Sequence, residues 1–166
     1  MKSKNLSKKI LKTIKSRGFK HVELPSVMET NHILQRSGEN FRKYLFSFNN
    51  PAGQEFSLNP DLSLSAILQY AKSKSNKREK VFYAGNAFRK SYNKKNTVIN
   101  QIGIEIFSSK DEKKDDKEII DTSIKMLKAS GFKRATINIG NFKLFELLIK
   151  KLPIVSRWQS RLIKFY

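Results

Sequence analysis

Arg89, Gln101 and Glu105 are residue types that could hold a small zwitterion between them. They lie in residues 82–108, FYAGNAFRKSYNKKNTVINQIGIEIFS, where two runs of alternating apolar and polar residues flank a short lysine-rich loop. Side chains two or four apart in a strand share a face, so an antiparallel hairpin here displays Gln101 and Glu105 together. Arg89 joins them from the neighbouring strand. A carboxylate accepts from an ammonium group, and a guanidinium takes a carboxylate or a phosphate. An amino acid needs that pairing. Gly103 stands between Gln101 and Glu105 on the same face, which we expect to floor a cavity. Ile102, Ile104 and Ile106 occupy the opposite face, which we expect to be packed.

Other chemistries find little support. The chain has no Gly-rich phosphate loop, no GxSxG and no defensible Ser/His/Asp set. It has no cysteine, hence no disulfide framework and no thiolate metal site. His21 and His32 are the two imidazoles, eleven residues apart, with no acidic cluster resembling a ligand set. We expect no metal, no cofactor and no catalytic residue. Taken alone, Arg89 reads more readily as an ordinary strand arginine on the surface. Trp158 and the Phe-rich helix over 142–149 read as core rather than as a ligand stack.

The elements that must position the hairpin follow from periodicity. Leu6, Ile10, Leu11 and Ile14 predict a helix stopped at Gly18. Phe19 to Leu24 predicts a strand ended by Pro25, and Ser26 to Gly38 an irregular or partly helical stretch. Tyr44–Phe48 and Glu55–Leu58 predict strands around the turn-rich Asn49-Asn50-Pro51-Ala52-Gly53. Asp61 is the expected N-cap of a helix carrying Leu64, Ile67, Leu68 and Ala71. A helix with Ile119, Ile120, Ile124 and Leu127 ends at Gly131. Ala135 to Ile139 predicts a strand, and two helices complete the chain. Hairpin strands with interspersed helices give α+β with a mixed, mostly antiparallel sheet flanked by helices. No internal repeat or linker is evident, so residues 1–166 are expected to form one domain.

The chain has 166 residues and a net charge of +20. Such a charge ordinarily suggests nucleic acid. Here lysine supplies 26 of the 34 basic residues and is spread along the chain, as a coding bias would spread it. We therefore expect a solvated basic surface, or an acidic protein partner, in preference to nucleic acid. No signal peptide and no membrane-length apolar run is present, so the expected compartment is the cytoplasm and no membrane association is expected.

The order of elements resembles the catalytic core of the class II aminoacyl-tRNA synthetases, in the histidyl branch. GFKHVELPSVMET resembles the first signature motif, which lies at a dimer interface in that family. FSLNPDLS resembles the branch's Leu-Arg-Pro-Glu-Gly-Thr segment. FYAGNAFRK and NQIGIEIF resemble the second signature motif. The resemblance implies that Arg89 matches the arginine that holds substrate carboxylate and ATP α-phosphate. Gln101 and Glu105 match residues that hold the amino group of histidine. Asp61 and Ser63 match the acid and hydroxyl of the Glu-Gly-Thr segment, which lines the same pocket.

Departures from the enzyme pattern fall on the nucleotide side. Ser91 replaces a glutamate used for ATP, the loop from Asn93 to Thr97 is short, and Asn59 replaces an arginine. The pattern resembles the non-catalytic histidyl paralogue, the regulatory subunit family of ATP phosphoribosyltransferase, whose Pro-Asp-Leu-Ser form matches 60–63. The tail NIGNFKLFELLIKKLPIVSRWQSRLIKFY also resembles that paralogue. The third signature motif and the later Gly-Leu-Asp-Tyr-Tyr segment are absent, so the expected core is incomplete, its C-terminal strands missing. The resemblance implies a partner, a short-form ATP phosphoribosyltransferase catalytic subunit in a hetero-oligomer, self-association through the 1–30 region, and histidine as effector in feedback control of histidine biosynthesis. The alternatives are a fragment or divergent form of histidyl-tRNA synthetase activating histidine with ATP, and a basic RNA-binding module.

Overall fold

A computed structural model of the chain describes residues 2–90 and 97–165, with side chains described between 8 and 164. It divides into two compact units, 1–133 and 134–166.

The first unit is built on the predicted hairpin. Strands β5 (Glu79–Phe88) and β6 (Val98–Phe107) pair antiparallel, with Tyr83 opposite Gly103 and Gly85 opposite Gln101. The short strand β1 (Lys20–His21) pairs parallel to β5, giving a sheet ordered β1-β5-β6. Only two residues of the strand expected over 19–24 form a ladder, because Pro25 and the chain's departure toward the second sheet end the pairing. A second, antiparallel sheet is ordered β2-β4-β3, from Val27–Glu29, Glu55–Leu58 and Ser47–Asn49. Strand β2 lies where sequence periodicity shows only an irregular stretch; three residues are too few to display an alternation. The expected mixed, mostly antiparallel sheet is therefore present as two sheets.

Helices cover both faces of the hairpin. Helix α1 (Lys2–Ser16) and helix α4 (Glu112–Ala129) lie on the face of Ile102, Ile104 and Ile106. Ile14, Phe19 and Phe82 are the buried centre of that layer, with Ile10, Leu11, Ile119 and Met126 around it. Helix α3 (Leu62–Lys72) covers the other face, where Leu62 and Ala66 pack on Tyr83. Phe82 and Tyr83, adjacent in the strand, thus serve opposite layers. Helix α2 (Thr30–Ser37) and a 3-10 turn at Glu39–Tyr44 enclose Met28, Ile33 and Leu45. Gly18 ends α1 with φ of 81°, a conformation that side-chain-bearing residues rarely adopt.

Ion pairs fasten α4 to the sheet. Arg78 on the approach to β5 donates to both oxygens of Asp115, at 3.0 and 2.5 Å, and to Glu118. Lys80 donates to Glu118 and to the Arg17 carbonyl. Arg17 reaches Asp121 at 2.6 Å and Thr122 at 3.3 Å.

The second unit holds α5 (Phe142–Lys151) and α6 (Ser156–Phe165). Gln159 donates to the Lys150 and Leu152 carbonyls between them. Two expectations are corrected here. Residues 135–139 form no strand: a β-branched run needs a neighbour to take its backbone groups, and no described segment pairs with it. Helix 142–149 and Trp158 are not core. Ile149 is buried, but Leu148 and Trp158 are 58% and 54% exposed, as expected of a unit too small to enclose its apolar side chains. The Arg161 guanidinium lies over the Trp158 ring, 5.2 Å from its centre. Among the described residues no helix is long and apolar enough to cross a membrane.

Candidate functional site

The start of α3 places one end of the site. Asp61 caps the helix, its carboxylate accepting from the Ser63 backbone N–H at 2.8 Å. Pro60 fixes the entry, and its carbonyl accepts from Arg89 Nε at 2.8 Å. An Arg89 Nη contacts the other Asp61 oxygen at 3.3 Å. Gln101, on the facing strand, grips the same helix end. Its Oε1 accepts from the Leu62 N–H at 3.1 Å and its Nε2 donates to Asp61 at 3.3 Å.

Ser63 and Glu105 meet through a residue that the spacing argument overlooked. The Tyr83 hydroxyl donates to Glu105 Oε1 at 2.9 Å and lies 2.7 Å from Ser63 Oγ. A carboxylate only accepts, so the phenol proton points to Glu105 and Ser63 donates to the phenol oxygen. Burial, with Glu105 beside it, pushes the Tyr83 phenol up from its ordinary range, so it remains a donor at neutral pH. The signal was present in the sequence: Tyr83 falls opposite Gly103 in the hairpin register, and only a glycine leaves room for a ring there. A Cβ on Gly103 would lie 2.2 Å from the Tyr83 Cζ. The space over Gly103, expected to be a cavity floor, is filled by this ring.

Asp61, Ser63, Arg89, Gln101 and Glu105 are thus brought into one connected network, with Tyr83 as its sixth member. It holds two carboxylates and one guanidinium, an acidic spot on a chain of net charge +20. Glu105 Oε2 has no hydrogen-bond partner among the described residues, and a carboxylate oxygen can accept from an ammonium.

Asn59 anchors the network from below. It is fully buried, its Nδ2 donating to the Pro25 carbonyl at 3.2 Å and to Ser65 Oγ at 2.5 Å. Its Oδ1 accepts from the Asp61 N–H, and its backbone pairs with Ser26 and Phe88. A side chain so committed presents no positive charge to a ligand. Ser91 and residues 93–96 of the short loop lie outside the described residues.

A cavity of about 480 Å³ lies elsewhere, between β2, β4 and α3, lined by Val27, Glu29, His32, Phe56 and Leu68 among others. It includes none of the five expected site residues. That cavity carries titratable groups of its own, Glu23, Glu29, His32 and Lys72, none of which belongs to the hydrogen-bonded network. Among the described residues no three His, Asp or Glu side chains gather as a metal would require.

A family model described as histidyl-tRNA synthetase matches residues 1–166. An ATP phosphoribosyltransferase regulatory subunit of Allorhizobium ampelinum is 25% identical over 158 residues, covering 95% of this chain and 42% of that protein. A histidine–tRNA ligase of Pyrococcus abyssi is 32% identical over 151 residues, covering 88% of this chain and 35% of the ligase. The chain therefore spans less than half the length of either relative. The fold matches a Bacillus halodurans structure described as an ATP phosphoribosyltransferase regulatory subunit/histidyl-tRNA synthetase. The TM-score is 0.73 at 18% identity, over 98% of this chain and 50% of that one.

Proposed function

The chain belongs to the histidyl-tRNA synthetase family, and from that premise we propose that it is a regulatory paralogue rather than a synthetase. In this reading it makes and breaks no bonds. It assembles with a short-form ATP phosphoribosyltransferase catalytic subunit, supports the first step of histidine biosynthesis and carries histidine feedback to it. Residues 1–166 serve as part of a class II synthetase-like core, with self-association through the 1–30 region.

The observation that carries the reading is Asn59. Where the enzymes resembled have an arginine, this chain buries an amide whose hydrogen bonds are all internal. Adenylate formation depends on positive charge aimed at the phosphates, and position 59 does not supply it here. The amino-acid side remains chemically apt. Histidine's ammonium is received by Glu105 and Asp61, and its carboxylate by Arg89 once that guanidinium turns from Asp61. Because Asp61 caps α3 and Asn59 ties Asp61 to Pro25 and Phe88, such a turn alters the start of α3 and the 25–26 segment together. A ligand favouring one arrangement shifts the assembly by its differential affinity.

The second reading is a histidyl-tRNA synthetase or a part of one, favoured by the ligase relative at 32% identity. One experiment separates the two. The chain is co-expressed with a short-form catalytic subunit, and the complex is assayed for phosphoribosyl transfer with and without histidine. In parallel the chain is assayed for histidine-dependent pyrophosphate exchange. A stable complex with histidine-sensitive transfer and no exchange is expected. No complex, or exchange activity, overturns the proposal.

A further inference from the structure

Residues 134–166 carry seven Lys or Arg and one acidic residue, Glu146. None of the seven makes an ion pair among the described residues. An apolar face lies among these charges. At about 100° per residue Leu144, Leu147 and Leu148 share one side of α5. Val155, whose carbonyl opens α6, shares one side of that helix with Trp158 and Leu162. All six are exposed. Helices joined by so short a loop, 152–155, run as antiparallel neighbours, and Gln159 ties the second to the end of the first. Ile149 is buried and Ile163 half-buried. With those two turned inward, both strips fall on the same side of the helix pair.

Six large apolar side chains on one side are a patch, not the single exposures that any surface carries. The patch has the make-up of a protein interface, an aromatic and aliphatic centre with charge at its border. Lys151 stands at the end of the α5 strip and Arg161 beside the α6 strip. The Arg161 guanidinium lies over the Trp158 ring, and tryptophan and arginine are the types that most often anchor an interface.

Charge decides what covers the patch. A second copy would set the same positive border against itself. A lipid surface would draw Trp158 to the acyl boundary and with it the guanidinium on its ring, which belongs instead on the far, polar side of a membrane-bound helix. A protein partner meets that guanidinium with a carboxylate, two parallel N–H donors to two oxygens.

We propose that this α5–α6 face is where the catalytic subunit docks, through an apolar patch bordered by carboxylates. The inference rests on the regulatory reading for the identity of the partner; the chemistry of the face says where the contact falls.

The test is calorimetric titration of the full chain, and of its variants, into the short-form catalytic subunit. Leu148 and Trp158 are both more than half exposed, so replacing them leaves the fold in place, which circular dichroism verifies. Leu148→Ala with Trp158→Ala is expected to weaken binding by at least ~30-fold, the loss found at central anchors. Lys151→Glu with Arg161→Glu is expected to weaken it about tenfold at low salt and to remove most of its salt dependence. The exposed control Lys110→Glu with Lys113→Glu, an equal change of charge, is expected to cost less than about threefold. Absence of binding by the unaltered chain removes the regulatory reading and this inference with it. Binding that the α5–α6 variants weaken no more than the control does overturns this inference alone. So does flotation of the chain with phosphatidylserine vesicles that Trp158→Ala abolishes, which assigns the face to lipid. Conversion of a homo-oligomer to monomer by the same substitution overturns it too, and assigns the face to a second copy.

Discussion

The ring of Tyr83 lies directly across Gly103, with its hydroxyl bridging Ser63 and Glu105. The pair fixes the floor of the site: the glycine gives way to the ring, and the ring carries the donor that orients the glutamate. Gly103→Ala forces the ring aside and is expected to cost roughly 1–3 kcal/mol, the range for overpacking a close-fitted site. Urea unfolding measures it. In a Tyr83→Ala background the same substitution should cost far less, and equal costs in both backgrounds refute the relationship.

Of the five tyrosines, Tyr83 has its phenol raised by burial and by Glu105. Spectrophotometric titration of the native protein should therefore show a late component that belongs to Tyr83. Tyr83→Phe removes that late component while keeping the ring over Gly103. A native titration in which all tyrosines ionise together disproves the assignment.

Asn59→Ala leaves the Asp61 N–H and Ser65 Oγ without their buried partner. Leaving such groups unsatisfied costs roughly 1–3 kcal/mol, read as a lower urea midpoint. The same variant should loosen the start of α3, seen as faster amide exchange at Leu62 and Ser63. Unchanged exchange there contradicts the anchoring role.

Arg78, donating to Asp115, holds that carboxyl down at about 2. An unfolded aspartate titrates near ~3.9. The folded value is the lower one, so the stabilisation is complete above the unfolded value and is lost as pH falls from there toward about 2. Glu118 is held below its usual range by Lys80 first and Arg78 second, and acts in the same direction. Unfolding midpoints measured down that window should fall steeply for the native sequence and less steeply for Asp115→Asn. Parallel profiles count against it.

Much of the site was readable because strand alternation is a strict rule. Gln101, Gly103 and Glu105 had to share a face, and Ile102, Ile104 and Ile106 had to take the other. The cap at Asp61 was readable because a helix start leaves N–H groups that an aspartate satisfies. Tyr83 was missed because an aromatic in an apolar strand reads as core until the register sets it opposite a glycine. Asn59 was noted as a departure, but its burial depends on Pro25 and Ser65 arriving from distant elements. Residues 135–139 show the limit of local propensity: isoleucine and threonine favour a strand, but pairing is a property of two segments, and the second is absent from the described residues.

The clasp between Arg17 and the Asp121–Thr122 turn of α4 has a consequence for biosynthesis. Its partners are 104 and 105 residues apart, and Ile14 and Phe19 find their neighbours in the same late segment. A growing chain exposes the apolar stripe of its first helix until α4 has been made. Contacts of such long separation form slowly because the intervening loop must close first. The nascent first helix, sticky on one side and densely cationic on the other, is therefore the segment for which a chaperone has the longest opportunity.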